Sequence, residues 1–362
     1  MKLMTPFLPF VFIFLIFNLI NNSYANTPPI GKTHPDIYIV DQNEQSGFTT
    51  IQSAIDATVQ DKEVILLIKP GTYREKLFIT RNNISLIGSS PENTIISYDI
   101  LRNNWRNNNP SDWGAAVVNI SASDVNIINL SVINDYGRQH QTDDHQFAIR
   151  SFENASRIIL HNCTVIADGA DTVSLWNKKN GMYYHSYCHF EGYTDMVCPR
   201  GTALIENSSF YNKKHSATIW HDGQLAQQQK LVINDSKFDG IPGFWLGRHH
   251  YDAQFYLVNS TFSEHMADKA IFKKTYQDTT RNRPNLWGER YFFYNNQSPQ
   301  PFPWLANNFN IKDIPELTNS GLESWVFAEQ WFPNNTLQAL DNILKDTKMA
   351  DFNYRSIKVN KH

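Results

Sequence analysis

Three cysteines in 362 residues, Cys163, Cys188 and Cys198, are too few to staple a fold, and their odd number allows at most one intramolecular bridge. A hydrophobic core must therefore hold the chain. No block of basic residues occurs, which argues against nucleic acid as a partner. Long apolar runs are also missing, apart from Phe7 to Ile20 near the start. That run follows Lys2 and gives way to a polar stretch ending in Ser23-Tyr24-Ala25, the layout of a secretory signal cleaved after Ala25. It is short for a bilayer span of about 20 residues. The expectation is a secreted protein, extracellular or periplasmic, with no membrane attachment after cleavage and 31 Lys+Arg against 35 Asp+Glu. Gly-x-Ser-x-Gly, His-Glu-x-x-His and dense acidic clusters are absent too, so neither a serine elbow nor a zinc or calcium site is indicated. No metal and no cofactor are expected.

What the chain does contain is a repeat. The stretches NLSV (129–132), NCTV (162–165), YCHF (187–190), NSSF (207–210), DSKF (235–238) and NSTF (259–262) line up on their last residues, which are 33, 25, 20, 28 and 24 positions apart. Most units open with a run rich in β-branched or aromatic residues, such as VNIINLSV or FYLVNSTF, and then enter a polar stretch of variable length. A single strand of this kind cannot bury its inner face, but successive coils can stack like on like. The pattern predicts an all-β solenoid, a right-handed single-stranded parallel β-helix, with Asn129, Asn162, Asn207 and Asn259 recurring at one bend. An antiparallel sandwich also uses short strands at such spacing, but few NG or DG hairpin signals join these runs. Residues 26–362 are read as one domain, expected to be monomeric.

Both ends carry short helical patterns. Thr50 stands at an N-cap position before Ile51, Ala54, Ile55 and Val59, a face suited to covering the open end of the coil core. In TLQALDNILKD (336–346), Leu337, Leu340, Ile343 and Leu344 have helical spacing and suit a helix lying along the outside.

Between about Phe48 and Trp287 the chain carries ordered blocks: FTTIQSAI (48–55), GTYREK (71–76), HQFAIR (145–150), GADTV (169–173), EGYTDMV (191–197), WLGRHH (245–250) and NLWGER (285–290). In this order they resemble the pectin methylesterases, carbohydrate esterases with a parallel β-helix fold. The resemblance implies removal of methyl esters from pectin or a short oligogalacturonide. It implies Asp195 as nucleophile, Asp171 as acid/base, Arg248 orienting Asp195, and Gln146 as an oxyanion donor. Thr194, Cys198, Arg200, Trp245 and His250 are the expected substrate contacts.

Residue types are compatible with that chemistry. Ester hydrolysis needs a nucleophile, a proton donor for methoxide and a donor to the oxyanion. Asp171 and Asp195 are 24 positions apart, about one coil, so they can face each other on adjacent turns. Two close carboxylates cannot both ionise easily, and an arginine beside one keeps it anionic. Taken singly, the same residues also fit structural roles: Asp171 a turn, Asp195 and Arg248 a buried ion pair, Gln146 a ladder amide, Arg200 a solvated surface charge.

The chain departs from the family pattern. Ala170 stands where a glutamine usually precedes the acid/base aspartate, Met196 and Cys198 replace an aromatic pair, and His250 replaces a tryptophan. These changes leave room for an esterified uronide other than pectin, or for a carbohydrate-binding relative with little turnover. Trp176, Tyr193 and Trp245 are candidates to stack on sugar faces. Cys163 and Cys188 both lie two residues before an aligned position, which places them on adjacent coils about 4.8 Å apart, bridged or free, with Cys198 free near the site.

Overall fold

The asparagines that recur in the repeats mark a bend. In the computed structural model, which describes residues 35–43, 47–60, 62–317 and 321–346, Asn129, Asn162, Asn207 and Asn259 have φ of 55°, 48°, 49° and 52°. This left-handed region is open to Asn more readily than to most side chains, because its short amide bonds locally. Tyr187 and Asp235 take the same conformation where the repeat lacks Asn, with φ of 54° and 48°. Amides also join coils: Asn162 Nδ2 donates to Asn129 Oδ1 at 2.8 Å, and Asn295 Nδ2 to Asn259 Oδ1 at 2.7 Å.

Each coil runs through three strands. Ile158–His161, for example, bends at Asn162 into Thr164–Ala167, and a turn then leads into Val173–Leu175. Stacked coils build three parallel sheets of ten, eight and eight strands among the described residues. Every named strand pair is parallel, which rules out the antiparallel sandwich. The expected all-β solenoid is the fold. The aligned positions pair in series, Val132 with Val165, Val165 with Phe190, Phe190 with Phe210, Phe210 with Phe238 and Phe238 with Phe262. Tyr73, Ile96 and Val132 extend the same column toward the start, two coils that the repeat pattern does not reveal. Phe190, Phe210, Phe238 and Phe262 stack with ring centroids 5.3, 4.4 and 5.0 Å apart.

The first helix, Ile51–Asp56, caps the coil core with Ile51, Ala54 and Ile55, and Thr50 accepts the Ser53 N–H as its N-cap. Val59 lies beyond the helix and is exposed, contrary to the expectation that it shares the buried face. The helix also explains the GTYREK block. Both carboxylate oxygens of Glu75 accept helix N-terminal N–H groups, from Ile51 and Gln52, each at 2.9 Å. An anion there satisfies free donors and meets the positive end of the helix dipole. A Cβ at Gly71 would come within 2.6 Å of Gln42 Oε1, the tip of a flexible side chain that would have to shift.

Helices Leu322–Phe327 and Pro333–Asp346 pack on the outward face of the ten-stranded sheet. Leu337, Leu340 and Leu344 meet outward side chains such as Tyr184, Leu204 and Val232, as the helical spacing predicts, with Ile343 at the margin. Cys163 and Cys188 are neighbours on paired coils, buried and free, and Cys198 is also free. Residues 1–25, read as a signal, lie outside the described residues. Among the described residues no helix is long and apolar enough to cross a membrane.

Candidate active site

The turns leading into the third-sheet strands place the site. Asp171 and Asp195 stand two residues before Val173 and Val197, which pair across adjacent coils, so the two aspartates occupy equivalent positions one coil apart. Both have left-handed backbone, φ 66° and 54°, a conformation Asp tolerates. Main-chain bonds lock the register: the Asp171 N–H donates to Thr194 O at 3.0 Å, and the Asp195 N–H to Ala217 O at 2.8 Å. Arg248 comes from the strand Trp245–His249, which pairs with Ala217–Trp220. Its Nε lies 2.9 and 3.2 Å from the two oxygens of Asp195, and its Nη2 lies 2.8 Å from Oδ2. This fork-to-carboxylate geometry is specific to arginine.

Burial shapes the charges. Asp195 is 7% exposed, and desolvation raises its pKa to about 6 in spite of Arg248. Asp171 is likewise raised by burial, opposed by Arg200, Arg150, Arg102 and Arg248. Asp195 keeps its anion above about pH 6, while Asp171 has no such arginine fork among the described residues and meets His145 Nε2 at 4.0 Å. Burial pushes the Cys198 thiol up to about 12, so it stays protonated and does not compete as a nucleophile.

These groups line a groove of about 280 Å³ together with His145, Arg200, Trp220, His250, Tyr276 and Arg281. A larger depression of about 520 Å³ lies along the asparagine bend, bordered by Asn162, Tyr187 and Asn207. It has no paired carboxylates, and the smaller groove is the candidate site. Arg200 is 7% exposed rather than a solvated charge, and its guanidinium sits 3.9 Å from the Trp176 ring and 4.3 Å from Trp220. Its Nη1 donates to Cys198 O at 2.9 Å. His250 bonds the Tyr276 hydroxyl at 3.0 Å, and burial lowers its pKa to about 4.

Three expected contacts lie elsewhere. Gln146 is fully buried, its Oε1 accepting the Gly137 N–H at 2.7 Å and its Nε2 donating to Thr142 O, Asp144 O and Asp168 O. The amide is saturated by backbone groups and does not reach the groove, so it is the ladder amide of the structural alternative. Gly169 packs against it, leaving no room for a Cβ. The Thr194 hydroxyl bonds Ser216 at 2.8 Å, and Trp245 holds the Lys269 ammonium 3.2 Å from its ring, neither lining the groove. Trp176 packs on the Arg200 guanidinium, and neither it nor Tyr193 is among the lining residues. His145, Trp220, Tyr276 and Arg281 were not singled out from the sequence. His145 was within reach of such reading, being next to Gln146, but Tyr276 and Arg281 lie in a polar stretch without a repeat.

Comparison with known proteins places the chain. Residues 37–238, over half of the 362, match the family described as pectinesterase. A pectinesterase from Ralstonia solanacearum is 28% identical over 198 residues, 46% of this chain and 48% of that protein, so the chain spans about half the length of that relative. Pectinesterase A from Dickeya dadantii is 28% identical over 273 residues, 66% of this chain and 73% of the relative. Among solved structures, a pectin methylesterase in complex with a hexasaccharide superposes with TM-score 0.69 at 20% identity, covering 83% of this chain and 99% of that one. The pectin methylesterase from Erwinia chrysanthemi gives 0.67 at 20%, covering 83% and 98%. With its coils, its ordered blocks and the family match in agreement, the chain belongs to the pectinesterase family.

Proposed function

We propose that this protein is a carboxylic ester hydrolase that removes methyl esters from pectin (homogalacturonan), giving methanol and free galacturonate carboxylates. The observation that carries the reading is Asp195 held as an anion by the Arg248 fork with Asp171 at the same position one coil away. An Asp195 oxygen attacks the ester carbonyl carbon to form a tetrahedral oxyanion. Its collapse breaks the bond to methoxide, which takes the proton of Asp171 and leaves as methanol, so that an acyl-Asp195 remains. Asp171, now a carboxylate, removes a proton from water as the water attacks the acyl carbon. Cleavage of that bond restores Asp195 and yields the acid.

The groove suits an acidic sugar chain. Arg200, clamped between two indoles, and Arg281, 3.8 Å from the Tyr276 ring, present fixed cations beside the paired carboxylates, fit for a free uronate next to the ester. The hexasaccharide-bound relative supports an oligosaccharide of this class as ligand. Export, as residues 1–25 suggest, would bring the enzyme to such a polymer.

A second reading, carbohydrate binding with little turnover, is favoured by Ala170 and the sequestered Gln146, which leave the groove without a side-chain amide. Methanol release from highly methylated pectin decides between them. The native protein is expected to release methanol and Asp195→Ala to release none while still binding the polymer. Equal release by both would remove Asp195 from the reaction, and none from either would favour the binding module.

A further inference from the structure

An oxyanion needs an N–H or O–H donor, and the amide expected to supply it is buried elsewhere. The other uncharged donors of the groove are engaged or hidden, and its arginines face carboxylates, carbonyls or the place for a uronate. Arg248 gives Nε and Nη2 to Asp195. Arg200 gives Nη1 to Cys198 O, and its Nε is buried, as is the Trp220 Nε1. His250 and Tyr276 bond each other, and Arg281 lies on the Tyr276 ring. His145 remains. Its side chain is 38% exposed, its ring makes no hydrogen bond among the described residues, and its Nε2 stands 4.0 Å from Asp171 Oδ2. The backbone fixes it there, since the Arg102 N–H donates to His145 O at 3.2 Å.

We propose that His145 is the side-chain oxyanion donor of this enzyme, its ring N–H meeting the carbonyl oxygen as Asp195 attacks. The inference rests on the esterase reading above. The charged groups that act on the ring are Arg102, Arg106, Asp144 and Asp195, with Asp171 Oδ2 4.0 Å from its Nε2. Burial and Arg102 outweigh the acids and lower its pKa to about 4, so the imidazole is neutral over the working range. A neutral imidazole carries one N–H and one bare nitrogen, enough to donate without a positive charge that would favour loss of the proton of Asp171, 4.0 Å away. Donation strengthens only as the negative charge develops, so its loss falls on kcat rather than on KM.

The test compares His145→Phe, which keeps the ring and loses the donor, with His145→Gln, which restores an N–H. Steady-state methanol release from methylated pectin is measured with each thermal midpoint as a folding control. His145→Phe is expected to lose about 100- to 1000-fold in kcat, the usual cost of an oxyanion donor, with KM within about threefold. His145→Gln should recover to within about tenfold of the native rate. A native enzyme that releases methanol while His145→Phe does so equally well overturns this inference alone. So does His145→Gln as inactive as His145→Phe, which would make the imidazole a base. A native enzyme that releases none overturns the esterase reading itself.

Discussion

At the scale of single residues, the site turns on how one carboxylate is kept charged in a buried place. Desolvation pulls Asp195 toward its neutral form, and the Arg248 fork pulls it back, leaving its pKa at about 6. The anion is the attacking species, so kcat/KM is expected to fall as pH drops through about 6, and a pH-rate profile reads that limb directly. Arg248→Lys keeps a charge and loses the paired bonds, so the limb should move to higher pH and the plateau should drop. An unmoved limb would assign it to another group. Asp171, Asp195 and Arg248 were legible through the ordered blocks that resemble the pectin methylesterases, and the 24-residue separation of the two aspartates, about one coil, fitted their facing each other. Gln146 and His145 were not told apart, because a shift of one residue in a turn exchanges an inward side chain for an outward one. Tyr276 and Arg281 carry no periodic signal and are found only in space.

Among the elements, the helix Leu322–Phe327 holds an acid where water is scarce. Glu323 is 8% exposed, and burial raises its pKa to about 7, with Glu206 adding to the rise and the Asn334 N–H, 2.9 Å from Oε1, opposing it. A carboxyl raised in the folded state contributes stability that is fully present below its unfolded value near 4.5 and lost as pH climbs through about 7. Glu323→Gln keeps an acceptor for Asn334 and abolishes that loss. Its stability gain over the native protein should be near zero at pH 4.5 and reach on the order of 2–3 kcal/mol at pH 8, measured by denaturant unfolding at both values. Equal gains at the two would place the titration elsewhere. The helical spacing of Leu337, Leu340 and Leu344 foretold that the C-terminal helix would dock. Glu323 gave no such hint, because burial of an acid depends on a packing partner distant in sequence.

For the molecule as a whole, the column of aligned side chains is the continuous element. Phe238 lies between Phe210 and Phe262 at centroid distances of 4.4 and 5.0 Å and is 1% exposed. Phe238→Ala should cost about 3–5 kcal/mol, read from the denaturation midpoint, because the coils on either side are pinned by their ladders and cannot collapse into the gap. A cost under about 1 kcal/mol would mean that the column is not a shared core. The sequence showed this column from Val132 onward because Asn or a like residue marks its bend. Tyr73 and Ile96 belong to it as well, but GTYR and TIISY have no such bend residue to announce them.

The unequal lengths of the coils have a mechanical consequence. Main-chain bonds between coils run along the stacking axis, so a load applied to the two ends peels coils singly and does not shear a sheet at once. Successive coils of 20 to 36 residues would each pay out roughly 70 to 120 Å of contour when released. A force-extension trace should therefore be a train of teeth with unequal spacing, its long and short intervals following the order 23, 36, 33, 25, 20, 28, 24 or the reverse. The order would report from which end the protein unwinds.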